Sequence, residues 1–210
     1  KPSPADDYCA INVALYTPRK KYWTMTERAQ NAIERTAHQF TVGPSHLRWE
    51  NDCLTIQIDE RVPLLGNKVQ GNIKVFPEQL FKQVVTLDDQ GKHRWGPIAP
   101  SARVQVSFTN PSLQWQGNAY FDSNEGDEAI SKPFSEWDWS RAHLKDGSTA
   151  VIYDVRQKNG IERVIASKFN LDGSIESFSP PERVLLRKTG WGIHRNMRSE
   201  ADGSTPTVSL

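Results

Sequence analysis

The stretch Arg103-Val104-Gln105-Val106-Ser107-Phe108 alternates strictly between polar and apolar side chains. Successive side chains of a β-strand point to opposite faces of the sheet, so this period places the three apolar residues on one buried face. The same alternation recurs from Leu54 to Asp59. Shorter runs with a strand pattern cover residues 71–76, 119–122, 150–155, 163–169 and 183–187. The sequence therefore predicts a mainly β fold.

Turn-forming residues separate these runs and indicate antiparallel pairing. Asn159-Gly160 and Asp172-Gly173 are typical of tight hairpin turns. Many short antiparallel strands joined in this way indicate a sandwich or a barrel. A change of composition near Ser131-Lys132-Pro133 predicts a boundary between a first domain, 1–132, and a second domain, 133–210, which restarts as an up-and-down meander.

One short helix is predicted against this background. Thr24-Met25-Thr26-Glu27 has the spacing of a capping box, and small apolar residues then recur at helical intervals up to Ala37. We expect this helix at about residues 26 to 37.

Composition and charge exclude several classes of function. Hydrophobic residues make up 37% and charged residues 24% of the chain, as in an ordinary globular protein. A formal net charge of +1 gives no electrostatic footprint for nucleic acid, and no apolar run reaches the roughly 18 residues of a membrane helix. Cys9 and Cys53 are too few for a zinc site built from two cysteine pairs, and free buried thiols are favoured over a disulfide.

A carboxyl group among aromatic residues is the first candidate site. Tyr120 and Asp122 lie two residues apart in a predicted strand and so share one face. A carboxylic acid surrounded by apolar rings loses the water that stabilises its anion, which favours a proton donor, and the rings attract a developing cation. The alternative is an Asp that caps the following turn beside a Tyr that only packs. A calcium site of the EF-hand kind is excluded because Gly126 and Pro133 occupy ligand positions.

Two further aromatic pairs accompany it. His93 and Trp95 share a face if their segment is extended, and they could meet Tyr120 and Asp122 across neighbouring strands. The alternative is a surface His before a core Trp. Trp137 and Trp139, with Tyr153 on the next predicted strand, either pack in the core or line an apolar ligand cavity. Asp138 and Arg141 could pair across the opposite face, which would be a structural role, and Asp154 is also interpreted as structural.

Several motifs occur in a consistent order along the chain. They are Thr41-Val42-Gly43-Pro44-Ser45 with Trp49, His93-x-Trp95, Gly117-x-x-Tyr120-x-Asp122-x-Asn124-x-Gly126, Trp137-x-Trp139-Ser140-Arg141 and Tyr153-Asp154. In these motifs, from about Tyr8 onwards, the sequence resembles the acyclic carotenoid 1,2-hydratases, also called hydroxyneurosporene synthases. The resemblance implies two tandem lipocalin-like β-barrel domains, of which the second lacks its closing strands here.

The resemblance also implies an activity. Such enzymes add water across the terminal 1,2 double bond of acyclic carotenoids such as neurosporene or lycopene, giving a tertiary alcohol at C-1 with no cofactor and no metal. Asp122 matches the proposed acid of the family, and His93, Trp95 and Tyr120 match its other functional positions. As a hypothesis, Asp122 protonates C-2, Trp95 and Tyr120 stabilise the cation at C-1, and a water held near His93 or the new carboxylate attacks C-1. Trp139 and Tyr153 are candidates for substrate binding.

The expected partners are an acyclic carotenoid and water, without nucleic acid. Because the substrate dissolves in membranes, we expect a cytoplasmic protein that associates peripherally with the inner or intracytoplasmic membrane. Two alternatives stay open. One is a non-catalytic, lipocalin-like carrier of isoprenoids or carotenoids, and the other is a glycosidase, in which Glu125, Asp127 or Glu128 would face Asp122 as a second carboxyl group.

Overall fold

The computed structural model describes residues 4–18, 20–63, 66–188, 192 and 194–200. Strands account for 63% of the chain and helical residues for 4%, which confirms the mainly β prediction. The sheets are antiparallel and fit a sandwich-like fold, and none of those in the described ranges closes into a barrel. The described strands are β1 (Cys9–Tyr16), β2 (Lys21–Arg28), β3 (Ile33–Arg35), β4 (Gln39–Val42), β5 (Ser45–Glu50), β6 (Cys53–Arg61), β7 (Lys68–Pro77), β8 (Val85–Thr86), β9 (His93–Asn110), β10 (Ser112–Gly126), β11 (Phe134–His143), β12 (Thr149–Gln157), β13 (Glu162–Phe169), β14 (Ile175–Ser177), β15 (Arg183–Leu185) and β16 (Asn196–Arg198).

These strands form four sheets. β1 pairs with β2, and β15 pairs with β16. The largest sheet has the order β10-β9-β7-β6-β5-β4-β3, with β8 paired to the start of β9. The last sheet has the order β11-β12-β13-β14, which confirms the predicted meander.

Two compact units divide the chain. The first unit comprises Lys1–Glu78 and Ala102–Ala119, and the second comprises Gln79–Ser101 and Tyr120–Leu210. Both units are therefore discontinuous in sequence. The domain boundary at residue 132 stays a prediction.

Alternating side chains build the core of the first unit. Val104, Val106 and Phe108 are buried, whereas the polar residues between them are exposed. Gly71 lies so close to Phe108 that an added Cβ would stand 2.6 Å from its Cα, so the pairing of β7 with β9 requires glycine at this position. Within this unit Glu60 is only 1% exposed, and its carboxylate accepts hydrogen bonds from Arg28 over 2.9 Å and from Ser45 over 2.7 Å.

The helix expected at about residues 26 to 37 is wrong. Strand β2 continues to Arg28, a 3₁₀ helix covers Gln30–Ala32, and β3 begins at Ile33; a second 3₁₀ helix covers Ala5–Tyr8. All eight residues of β2 pair with β1, and its aromatic and β-branched residues favour a strand. The remaining Ala-containing segment is too short to form a stable helix alone.

The predicted hairpin turns and free thiols agree with the structure. Gly160 and Gly173 have φ angles of 89° and 86°, a left-handed conformation that glycine adopts without strain, and they join β12 to β13 and β13 to β14. Cys9 and Cys53 are both free; Cys53 is buried as expected, whereas Cys9 is only half-buried. In the described parts of the chain, no helix is both long and apolar enough to cross a membrane.

The core of the second unit is aromatic and supports the candidate site. Its buried members are Leu87, Trp95, Phe134, Val151, Tyr153, Val155 and Phe169, with Phe81, Val85, Tyr120 and Ile165 packed against them. These residues come from β8 to β13 and from the segment before β8.

Candidate active site

The predicted pairs meet on neighbouring strands in the second unit. His93 and Trp95 begin β9, and Tyr120 and Asp122 lie in β10, next to β9 in the sheet. Trp95 has no exposed surface, and its ring centroid lies 5.5 Å from that of Tyr153. The packing of the core therefore fixes the position of this indole.

Asp122 is oriented by two donors. The indole N–H of Trp95 donates to its Oδ2 over 2.8 Å, and the hydroxyl of Tyr120 donates to the same oxygen over 3.0 Å. Within the described residues, no protein donor reaches Oδ1. When the carboxyl group is neutral, Oδ2 therefore serves as the carbonyl oxygen and Oδ1 carries the proton. β10 runs on to Gly126, so Asp122 lies within a strand, and the alternative of a turn cap is wrong.

Tyr120 remains a hydroxyl donor over a wide pH range. Burial and the negative charge of Asp122 raise its pKa well above the usual value, and the indoles of Trp95 and Trp139 oppose this only in part. Its ring lies 5.0 Å from that of Trp139, centroid to centroid, and the Arg141 guanidinium lies 5.5 Å from the ring.

The ion pair suggested for Asp138 and Arg141 is wrong. Residues three apart in a strand point to opposite faces, and Arg141 instead stacks on Tyr120. Asp138 lies opposite Asp154 in the β11–β12 register, and burial followed by the Asp154 charge raises its pKa. Asp154 is structural as expected: it is buried and binds Arg183 and Arg198 over 2.6 Å and 2.8 Å.

Tyr153 links the core to a residue that the sequence interpretation assigned no role. Its hydroxyl donates to Oδ1 of Asn124 over 2.9 Å. Tyr153 is only 3% exposed, and burial, followed by the charge of Asp122, raises the pKa of its hydroxyl to about 12. Asn124 continues the period-two series from Tyr120 and Asp122 in β10, and this spacing was the signal that could have identified it.

His93 is buried and both of its ring nitrogens are engaged. Nδ1 lies 3.3 Å from Oδ2 of Asp88, and Nε2 lies 3.1 Å from the backbone oxygen of Glu128. Both partners are acceptors, and a neutral imidazole can donate to only one of them, so full satisfaction requires a ring protonated on both nitrogens. The alternative of a surface His is wrong, since the residue is only 3% exposed. His93 makes no hydrogen bond to Asp122 among the described contacts.

Asp88 is a second residue that the sequence interpretation missed. Burial raises its pKa, but hydrogen bonds from the backbone N–H and ring of His93, together with the charge of that ring, outweigh this effect and lower the pKa overall. The carboxylate also accepts the backbone N–H of His93 over 3.1 Å. In the sequence, Asp88 stands directly before a turn. Its partner His93 follows five residues later, after the chain has turned back.

Trp139 lies at the rim of the site, on edge strand β11. It pairs with Tyr153 in the β11–β12 register and packs against Tyr120. Trp137 and Trp139 remain 45% and 38% exposed, so the core-packing alternative is wrong for these two indoles.

The carboxylates considered for a glycosidase are all paired with cations. Arg94 binds Asp127 over 3.0 Å and Glu125 over 3.6 Å. Glu128 binds Lys132 over 2.6 Å and Lys92 over 3.3 Å. Each of the three carboxylates is thus bound by a cation, and none of these ion pairs includes Asp122.

A half-open cavity of about 230 Å³ adjoins these residues. Its lining is formed by Leu87, His93, Arg94, Asn124, Glu125, Gly126, Glu128 and Ile130. Asn124 thus connects the cavity to the hydroxyl of Tyr153.

Comparison with known proteins identifies the family. The family model described as carotenoid hydratase CrtC matches residues 1–209. The chain belongs to this family. The resemblance found in the sequence motifs is thereby confirmed.

Curated relatives of this carotenoid hydratase family carry the name acyclic carotenoid 1,2-hydratase. The protein from Rubrivivax gelatinosus is 50% identical over 195 residues, covering 93% of this chain and 48% of that protein. The protein from Thiocapsa roseopersicina is 42% identical over 196 residues, with 93% and 48% coverage. The chain spans about half the length of these two relatives. The protein from Rhodobacter capsulatus is 36% identical over 198 residues, covering 93% of this chain and 69% of that protein. No solved structure gives a significant match.

Proposed function

We propose that this protein hydrates the terminal 1,2 double bond of acyclic carotenoids such as neurosporene and lycopene, giving 1-hydroxy carotenoids. Family membership and the names of the relatives support this proposal. The observation that carries it is the carboxyl group of Asp122, whose Oδ2 is held by Trp95 and Tyr120 beside aromatic rings. An acid fixed in this way leaves Oδ1 for the transfer of a proton to an alkene.

The proposed reaction begins with transfer of the Oδ1 proton of Asp122 to C-2. The π electrons form the new C–H bond, and a tertiary cation develops at C-1. The rings of Tyr120 and Trp139 attract this cation, because the face of an aromatic ring carries a partial negative charge. Trp95 is buried and acts through its hydrogen bond to Asp122.

Water then attacks C-1 and completes the addition. One lone pair of the water oxygen forms the C–O bond, and the released proton returns to the carboxylate of Asp122. The reaction consumes one carotenoid double bond and one water, and the acid is regenerated. His93 acts as a positioning residue in this scheme, because both of its ring nitrogens are already bound within the protein.

We also propose that the protein works from the cytoplasmic side, associated peripherally with the membrane that dissolves its substrate. The exposed indoles of Trp137 and Trp139 on strand β11 support this, since Trp is enriched where proteins meet the polar surface of a bilayer. Cosedimentation with phosphatidylglycerol vesicles should decrease for Trp137→Ala. Undiminished sedimentation would reject this contact.

The proposed reaction is tested by isotope incorporation. Purified protein in detergent micelles receives neurosporene or lycopene in ¹⁸O-labelled water, and the pigments are analysed by mass spectrometry. We expect a product that carries one labelled hydroxyl group for each hydrated end. Binding of pigment without any labelled product would instead indicate a non-catalytic isoprenoid carrier.

A further inference from the structure

We propose that Asn124, oriented by Tyr153, binds the water molecule that attacks C-1, which makes Asn124 a further catalytic residue. This inference rests on the hydration proposed above. It assigns the water to a residue other than His93, and it names the side of the site from which the water enters.

Strand geometry places Asn124 at a suitable distance from the acid. Asn124 follows Asp122 by two residues in β10, so both side chains share a face, about 6.5–7 Å apart along the strand. A proton donor and a nucleophile that act on two adjacent carbons each lie about 3–3.5 Å from their carbon in a reactive arrangement. A water that hydrogen-bonds both side chains lies about 3 Å from the amide oxygen and about 3 Å from the carboxylate, so one water fits between them.

Hydrogen bonding fixes which end of the Asn124 amide faces the water. Tyr153 donates to Oδ1 over 2.9 Å, so this oxygen is the acceptor end and keeps one lone pair for a water hydrogen. The Nδ2 group makes no hydrogen bond within the described residues. Because burial raises the pKa of Tyr153 to about 12, its hydroxyl remains a donor throughout the neutral range.

The other polar groups of the site are less suitable for holding this water. Trp95 and Tyr120 direct their N–H and O–H groups to Asp122. His93 uses one nitrogen on Asp88 and the other on the backbone of Glu128. An attacking water needs acceptors for its hydrogens so that its lone pair can face the carbon. Asn124 Oδ1 and the newly formed carboxylate of Asp122 supply two such acceptors.

The cavity beside His93 provides a route for this water. It has a volume of about 230 Å³, and Asn124 forms part of its wall. A water molecule occupies about 30 Å³ in the liquid, so the cavity has room for several. Arg94, Glu125 and Glu128 also line it, so part of its wall is charged and can hydrogen-bond water. Water therefore approaches from the His93 side, whereas the apolar chain of the substrate lies along the aromatic rings.

The hydration balances in protons and electrons without Asn124 acting as an acid or a base. The water oxygen contributes the electron pair of the C–O bond, and the resulting oxonium ion loses its proton to Oδ1 of Asp122. Asn124 exchanges no proton and only holds the nucleophile. Without a bound water, the cation at C-1 loses a hydrogen from C-2 or from a neighbouring methyl group and returns to an alkene. This alkene keeps a solvent hydrogen whenever the hydrogen lost is not the one just delivered by Asp122.

This reversal supplies the test, because it exchanges substrate hydrogens with solvent. Wild type and variants receive lycopene in D₂O, and mass spectrometry measures both the hydroxylated product and the deuterium in recovered lycopene. For Asn124→Ala we expect hydration to fall at least tenfold while exchange continues, so the ratio of exchange to hydration rises at least tenfold. Tyr153→Phe should change this ratio in the same direction by a smaller factor. The matched control is Asn118→Ala on the same strand, whose amide oxygen accepts from Arg103 over 2.7 Å.

Each outcome supports or overturns the inference. An equal ratio in Asn124→Ala and Asn118→Ala would show that Asn124 does not hold the water. An equal loss of exchange and hydration in Asn124→Ala would assign it to protonation or folding instead and also reject the inference. Absence of both exchange and hydration in the wild type would reject the proposed function itself, and that result is distinct from the other two.

Discussion

The indole N–H of Trp95 and Oδ2 of Asp122 are 2.8 Å apart, and the Trp95 side chain is fully buried. The carboxyl group at the site is thus oriented by a residue of the hydrophobic core. Any change that loosens the packing around this indole also changes the direction of the acid. Stability and activity should therefore decrease together in core variants near Trp95.

Replacement of the acid itself separates binding from chemistry. Asp122→Asn keeps the size of the side chain and an acceptor for Trp95 and Tyr120, but it removes the transferable proton. We expect the hydration rate to fall by about 10²–10⁴-fold, the usual contribution of a positioned acid. Pigment binding, followed by quenching of Trp fluorescence, should remain close to that of the wild type. Hydration at the wild-type rate would show that another group supplies the proton.

The Tyr120 hydroxyl is the second donor to Asp122, and it can be removed with little change in volume. Tyr120→Phe should lower kcat by about 10- to 150-fold, because a hydrogen bond to a charged group is worth about 1.5–3 kcal/mol. KM should change less, since the ring remains in place beside Trp139. Tyr16→Phe is the matched control, because Tyr16 is 73% exposed. Equal kcat values for the two variants would contradict the orienting role.

Alkaline unfolding should report on the buried tyrosines. Burial and then the Asp122 charge raise the pKa of Tyr153 from 10.0 to about 12. A raised folded-state pKa means that the stabilisation is complete below pH 10 and is lost as the pH rises towards 12. Urea unfolding at several values between pH 9 and pH 12 should show this loss. In Tyr153→Phe the decrease in the free energy of unfolding between pH 9 and pH 12 should be smaller by about 2 kcal/mol. An unchanged decrease would show that other groups cause the alkaline destabilisation.

Period-two spacing predicted the most useful part of the site. It placed His93 with Trp95 and Tyr120 with Asp122, and adjacent strands then brought Trp95, Tyr120 and Asp122 together. Spacing along one strand carries no information about which partner lies on another strand. For this reason Asp88 beside His93 and the hydroxyl of Tyr153 on Asn124 were not predicted.

The predicted helix was wrong for a related reason. The capping-box spacing at Thr24 is a local signal, whereas β2 is stabilised by its pairing with β1 over its full length. Thr24 is fully buried and pairs with Val13 on β1. Non-local pairing and burial outweigh local helix preference in such a segment.

Asp88 provides the clearest test of the unpredicted part of the site. Its pKa is lowered, because hydrogen bonds from His93 and the charge of its ring outweigh the effect of burial. A lowered folded-state pKa means that the stabilisation is present above the unfolded value, near 3.8, and is lost as the pH falls through the folded value. Asp88→Asn should therefore lower the free energy of unfolding at pH 7 by about 3–5 kcal/mol, as expected when a buried pair loses one partner.

As the pH falls below the unfolded value near 3.8, the difference between Asp88→Asn and the wild type should shrink, because the unfolded wild-type chain takes up a proton that the folded carboxylate binds only at lower pH. Urea unfolding between pH 2 and pH 7 measures this convergence. Asp89→Asn is the control, since Asp89 is exposed and accepts only a 3.4 Å bond from Asn159. An equal free energy of unfolding at pH 7 in Asp88→Asn and Asp89→Asn would contradict the pairing of Asp88 with His93.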